Sequence, residues 1–192
     1  PGKIKIPDLP AIPALPADLD DGLYRYTVER DGIVFIQETS EGLEIRKTYH
    51  PTSHYGLDFK VRIKNSSSQT MDFPEGCRII PFYGIRAEDA DESGHLRTVW
   101  MKNPEAKLFR KKTKKIKDPV NSEDPVAWVG IQNRYFTQIL APADHKSPVI
   151  LRPLGEDQVY ASLSSPPFIL RPGQMSENAY MLYMGPIIEK EL

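Results

Sequence analysis

The residues of this chain with the most capacity for chemistry are four histidines, a single cysteine and a scatter of carboxylates. His50 and His54 stand four apart, the spacing that sets two imidazoles on one helical face for a metal ion. Pro51 lies between them and strand-like sequence flanks both, so they read as turn histidines. Cys77 is alone, which excludes an intrachain disulfide, a CxxC redox motif and a cysteine-ligated zinc. It follows Pro74-Glu75-Gly76 and precedes Ile79-Ile80, the setting of a buried structural thiol rather than a nucleophile. No GxSxG elbow and no glycine-rich phosphate loop occurs. His145 and Glu156 are the nearest trial pair for acid–base work on a sugar ring, and nothing in their spacing ties them to one cleft. The expectation is a chain with no catalytic residues, no metal and no cofactor.

Charge is organised in two blocks. Glu88, Asp89, Asp91 and Glu92 form an acidic stretch, and residues 107–117 hold Lys107, Arg110, Lys111, Lys112, Lys114, Lys115 and Lys117. Like charges repel and stay hydrated, so the basic run reads first as a solvated hairpin or loop. Its sharper reading is electrostatic contact, through Arg110, Lys111, Lys112, Lys114 and Lys115, with anionic lipid headgroups or an acidic partner, at ~1 kcal/mol per residue. Phe109 is the lone aromatic residue within the run, and the formal net charge of the whole chain is −1. Both argue against a nucleic-acid partner.

The elements that would position these residues are strands. Hydrophobic residues at 40% and charged residues at 27% are ordinary for a globular domain, and 18 prolines are nearly twice the usual share of about 5%. Prolines at 1, 7, 10, 13 and 16 make residues 1–20 an extended linker or strap. From residue 23 the period becomes two. Leu57, Phe59, Val61 and Ile63 alternate with Asp58, Lys60, Arg62 and Lys64, giving a strand with one core face and one wet face. Further strands are predicted over 23–28, 33–36, 43–46, 78–85, 96–101, 126–132, 135–140, 149–151, 158–163, 168–170 and 179–184, with Asp31-Gly32 and Glu41-Gly42 as hairpin turns. A short helical turn is predicted near 88–92. Many short strands between turns specify an all-β sandwich or barrel, with one domain over 21–186. Trp100 and Trp128 read as core residues. No segment approaches the eighteen or so apolar residues that span a bilayer. The chain reads as a piece of something larger.

The segment Trp128-Val129-Gly130-Ile131-Gln132-Asn133-Arg134-Tyr135-Phe136, closed by Pro142, resembles the W-x-G-x-x-N/Q-x-Y-F motif in the large periplasmic domain of YidC-type membrane protein insertases. Gly32-Ile33-Val34 with Tyr55 to Asn65 resembles that family's early hairpin. Phe168-Ile169-Leu170-Arg171-Pro172-Gly173 and Tyr183-Met184-Gly185-Pro186 resemble its closing strands, with Ile187 where the family usually has Lys. From the residues alone, Gly130 is expected to let a neighbour lie close, Asn133-Arg134 to form a tight turn or bulge, and Tyr135-Phe136 to resume the sheet with a large apolar contribution. Trp128, Gly130, Asn133, Tyr135, Phe136, Pro142, Gly173, Gly185 and Pro186 thus read as a folding signature.

The resemblance implies a two-sheet antiparallel β-supersandwich of the galactose mutarotase-like kind, on the periplasmic side of the bacterial inner membrane. It implies an accessory platform for Sec translocon subunits, SecDF-like ones among them, and for nascent membrane proteins. It also makes residues 187–192 the start of a segment leading to an interfacial helix and membrane spans. Two alternatives stay open: a carbohydrate-binding or mutarotase-like sugar epimerase domain, and a structural adhesin-like sandwich.

Overall fold

The computed structural model describes residues 3–4, 23–52, 54–80, 94–102, 108–122, 124–153 and 158–187. Its elements are almost all antiparallel strands. The first half runs through β1 (Lys3–Ile4), β2 (Tyr24–Val28), β3 (Ile33–Glu38), β4 (Leu43–Pro51), β5 (Gly56–Asn65), β6 (Met71–Phe73) and β7 (Arg78–Ile79). There follow β8 (Arg97–Met101), β9 (Phe109–Lys112), a 3-10 turn (Thr113–Lys115), β10 (Val120–Asn121), β11 (Trp128–Gln132) and β12 (Phe136–Pro142). The chain closes with β13 (Val149–Pro153), β14 (Val159–Ser164), β15 (Phe168–Leu170) and β16 (Met175–Pro186).

Among the described residues the strands make a 10-stranded sheet in the order β1-β2-β3-β4-β5-β16-β12-β11-β8-β9, a 4-stranded sheet β10-β13-β14-β7, and a ribbon β15-β6. The alternation that marks β5 is realised in burial: Phe59, Val61 and Ile63 are almost fully buried while Asp58, Lys60 and Lys64 are exposed. In the small sheet Val149, Leu151, Val159, Ala161 and Leu163 face the same apolar interior as Phe59, Val129, Ile131, Leu140, Tyr180 and Leu182 of the large sheet. Each such side chain taken from water contributes roughly 1.5–3 kcal/mol, which makes this shared interior the dominant favourable contribution. The all-β, two-layer sandwich expected from the strand pattern is the fold.

Several boundaries differ from the sequence pattern, for local reasons. β16 begins four residues earlier than the predicted 179, because Met175, Ser176, Glu177 and Asn178 pair with Lys64, Ile63, Arg62 and Val61 of β5 although their own types are not strand-like. Within the basic run, read as a hairpin or loop, Phe109 to Lys112 form a strand that pairs antiparallel with β8 at the end of the large sheet among the described residues. Phe109 stacks on Trp100 at 5.6 Å, which holds the strand, and the charges beside it discourage further pairing at that edge. Lys3–Ile4, inside the proline-rich start, pairs with β2 at the opposite edge. The rest of the expected strap and the helical turn near 88–92 lie outside the described residues.

Gly130 is required by packing. A Cβ there would meet the Gln138 carbonyl oxygen at 2.5 Å and Ile139 Cγ1 at 3.0 Å, while one on Gly94 would meet nothing within 4 Å. Gly130→Ala is therefore expected to lower unfolding stability by about 1–3 kcal/mol, and Gly94→Ala to change it by less than about 0.5 kcal/mol. Urea unfolding of the three proteins checks this, and equal midpoints would contradict the close approach.

Candidate functional site

The small sheet shares its interior with the β5-β16-β12-β11 part of the large sheet and ends, among the described residues, at β7, beside a groove above β2, β4 and β5. Its floor is apolar: Ile45, Tyr49, Phe59, Val61 and Ile63 lie along it, with Tyr24 at the far end. Its wall is residues 77–80, the edge of the small sheet. Cross-strand register explains the floor, since Tyr49 is opposite Phe59 and Ile45 opposite Ile63, so one face of each strand supplies it.

An aromatic chain crosses the sheet at this level. Ring centroids are separated by 6.4 Å for Tyr24–Phe35, 5.8 Å for Phe35–Tyr49, 4.6 Å for Tyr49–Phe59 and 6.0 Å for Phe59–Tyr180. His145 ends it, edge-on to Tyr180 at 5.9 Å. Each such contact adds roughly 0.5–1.5 kcal/mol beyond area burial. The Lys47 ammonium lies 4.7 Å from the Tyr24 ring centre, the one cation over the floor among the described lining residues besides the Arg78 side of the wall.

Burial sets the ionisation of the groups here. It pushes the Cys77 thiol up to about 11 and raises the Tyr180 phenol strongly, with Cys77 adding to the latter. His145 is held below its ordinary value by burial, against the opposing pull of Asp144. All three favour their neutral forms; of them Cys77 lines the groove, whose charged described lining residues are Lys47 and Arg78.

The residues that their types single out for chemistry are dispersed. Cys77 is half-buried in the groove wall, its N–H donating to Ser165 Oγ at 2.8 Å. His145 sits at the end of the aromatic chain with Nε2 buried and unpartnered, and Glu156, its trial partner, lies outside the described residues. His50 is on β4, its Nδ1 3.2 Å from the Asp31 carbonyl oxygen, and His54 is in a turn at φ 59°. Arg134 Nη2 donates to His95 Nε2 at 2.6 Å. Among the described residues no group of three or more His, Cys, Asp or Glu is placed to hold a metal ion, and no helix is long and apolar enough to cross a membrane. Arg110, Lys111 and Lys112 lie on β9, and Lys114 and Lys115 are exposed on the 3-10 turn, at the far edge of the large sheet from β2.

Except for Gly173, at the other end of β16, the signature residues lie on the β11–β12 hairpin, at the ends of its strands and at the β16 end beside it. Asn133 closes the tight turn, its Oδ1 accepting from the N–H groups of Tyr135 at 2.9 Å and Phe136 at 2.8 Å. Gly185 and Pro186 end β16 opposite Thr137 and Phe136, and the Tyr183 hydroxyl donates to the Pro186 carbonyl at 2.7 Å. Pro142 ends β12 opposite Tyr180, and Gly173 holds the β15–β16 turn at φ 80°.

The expected apolar contribution of Tyr135 and Phe136 to the interior is corrected: they are 59% and 54% exposed. Phe136 has the same strand parity as fully buried Leu140, but burial fades along β12 toward the hairpin tip. Trp128 is half-buried, on the face opposite to the inward Val129 and Ile131.

The family model described as "YidC periplasmic domain" matches residues 24–192. The chain is 24% identical over 161 residues to "Membrane protein insertase YidC" of Geobacter sulfurreducens, covering 82% of this chain and 30% of that protein. It is 26% identical over 164 residues to the protein of the same name from Syntrophus aciditrophicus, covering 83% and 29%. The chain therefore spans less than a third of the length of these curated relatives. Among solved structures it is similar to a galactose mutarotase related enzyme from Lactobacillus acidophilus, with TM-score 0.61, 12% identity and coverage of 85% and 71%. A putative aldose 1-epimerase from Escherichia coli gives TM-score 0.57, 11% identity and coverage of 87% and 70%. At such identity the likeness is one of fold.

Cys77 yields a direct check. Because the thiol titrates at about 11 rather than 9.0, maleimide labelling of the folded chain at pH 8 is expected to be at least tenfold slower than in denaturant. The stability this raised value contributes is complete below pH 9.0 and falls as pH rises toward about 11. Labelling as fast as that of the denatured chain would contradict it.

Proposed function

Because the chain belongs to the YidC periplasmic domain family, we propose that it is a non-catalytic platform of a membrane protein insertase, holding apolar client or translocon segments in the groove above β4 and β5. The observation that carries this reading is the lining. Its described residues are aliphatic and aromatic with Lys47 and Arg78 at the rim, and include no carboxylate or imidazole. Such a surface binds by burial and by backbone pairing rather than by proton transfer. β7 is the edge of the small sheet among the described residues, and residues 77–80 form the groove wall, so an extended segment laid along them gains a strand partner and an apolar floor together.

In this reading the domain lies on the periplasmic side of the bacterial inner membrane. Residues 21–186 form the platform, 1–20 a strap, and 187–192 lead toward the interfacial helix and the spans. Sec translocon subunits and nascent membrane proteins are the partners, and the β9 cations contact anionic headgroups. The signature residues act in folding and hairpin geometry.

A photo-crosslinking side chain at Lys47, in the groove, is expected to capture a translocon subunit or nascent chain in the full-length insertase at least fivefold more often than one at Lys60 on the opposite face of the sheet. Equal capture at both would overturn the platform reading. Saturable calorimetric binding of an aldohexose would instead favour a sugar-binding domain.

A further inference from the structure

We propose that Arg78, Arg152 and Tyr160 form a binding site for a phosphate group on the outer face of the small sheet. Strand register places them there. Arg152 is directly opposite Tyr160, and Arg78 is opposite Ser164, which shares the parity of Tyr160 on β14. The alternate residues Ile79, Val159, Ala161, Leu163 and Leu151 enter the apolar interior, so the two arginines and the tyrosine share the other face.

The donors on that face lack acceptors. Tyr160 is 1% exposed, yet its hydroxyl meets no partner in hydrogen-bond geometry. The Arg78 guanidinium comes near enough to influence it, but is itself a donor and leaves the phenolic O–H with nothing to donate to. Arg78 Nε and Nη1 and Arg152 Nε are also out of contact with solvent and unpartnered. A buried donor left unsatisfied costs about 1–3 kcal/mol, and more when charged, so four together mark a place that an acceptor would fill. The two guanidiniums are close enough to disfavour each other: Arg78 is held below its ordinary range by burial first and by Arg152 second. The carboxylate that counters this is exposed Glu75, the weakest of the influences on Arg78. Burial raises the Tyr160 phenol against the opposing pull of the arginines, which keeps it an O–H donor at neutral pH.

Four donors carrying two positive charges suit an anion with three or more oxygens. A carboxylate holds its two oxygens in one plane, whereas the tetrahedral phosphate of a monoester, diester or free phosphate turns acceptors in separate directions, toward guanidinium forks and a hydroxyl at once. Arg78 also borders the groove, but its role here does not depend on the platform reading.

The test is thermal unfolding of this chain in sodium phosphate and in sodium chloride at equal ionic strength and pH 7. Phosphate is expected to raise Tm saturably. Arg152→Gln and Tyr160→Phe are each expected to weaken its apparent affinity at least tenfold, while R152Q without phosphate melts no lower than the parent because a repulsion has been removed. Y160F, which loses only the hydroxyl, keeps the test intact if R152Q does not fold. Flotation with vesicles of phosphatidylglycerol in phosphatidylcholine separates the sources: binding lost in both variants assigns the site to a lipid headgroup, and a phosphate shift without such loss assigns it to soluble phosphate. Identical melting in phosphate and chloride, or a shift and vesicle binding that both survive R152Q and Y160F, would overturn the site.

Discussion

The antiparallel pairing of β5 with β16 is the constraint from which the rest of the structure follows. β16 is the last strand in the described chain, yet it lies in the middle of the large sheet, bonded to β5 on one side and β12 on the other. Its register with β5 runs from Met175 opposite Lys64 to Tyr183 opposite Gly56, so the N-terminal meander and the C-terminal half become one sheet only through this seam. At one end of the seam Asn65, fully buried, ties two turns, the one after β5 and the one between β15 and β16. Its Nδ2 donates to Gln69 O and Leu170 O at 2.6 and 2.9 Å, and its Oδ1 accepts from Ser67 N and Oγ at 2.9 and 2.7 Å. Its backbone N–H donates to the Gln174 carbonyl at 2.9 Å, and its own carbonyl accepts from Gly173 at 2.8 Å. Every polar group of this buried side chain is satisfied, so it joins the turns without a desolvation penalty left open.

From the seam to the groove the steps are short. Phe59 of β5 and Tyr180 of β16 are the middle of the aromatic chain, so the seam fixes the rings that Tyr49 and Tyr24 extend toward the groove. The small sheet is shorter than the large one and shares its interior with β5, β16, β12 and β11. The part of that apolar face beside the small sheet is the groove floor, where Tyr24, Ile45, Phe59, Val61 and Ile63 are themselves largely buried. A fold shared with sugar epimerases thus presents a surface of hydrocarbon and aromatic rings, and the chemistry available there follows from those side chains rather than from the fold.

Much of this architecture is legible in the amino-acid sequence itself. The alternation from Leu57 to Ile63, the Asp31-Gly32 and Glu41-Gly42 turns and the proline load specify an antiparallel sandwich, because burial on one face of a strand leaves a period of two. The Trp128 to Phe136 motif carries the family. What escapes a local reading depends on tertiary position. The length of β16 comes from its neighbours, the Lys-rich β9 from the stacking of Phe109 on Trp100, and the exposure of Tyr135 and Phe136 from where burial fades along β12. The groove joins residues of β2, β4, β5 and 77–80, and Arg78, Arg152 and Tyr160 come from separate strands, so no local pattern announces either.

Native-state hydrogen exchange of the chain tests the seam most directly. The amides of Phe59, Val61 and Ile63 and those of Tyr180 and Leu182 are expected to be the slowest set, exchanging together and only through global unfolding. Exchange of these amides ahead of those in the small sheet, Leu151 and Ala161 for example, would show that the two halves hold together some other way and contradict the account.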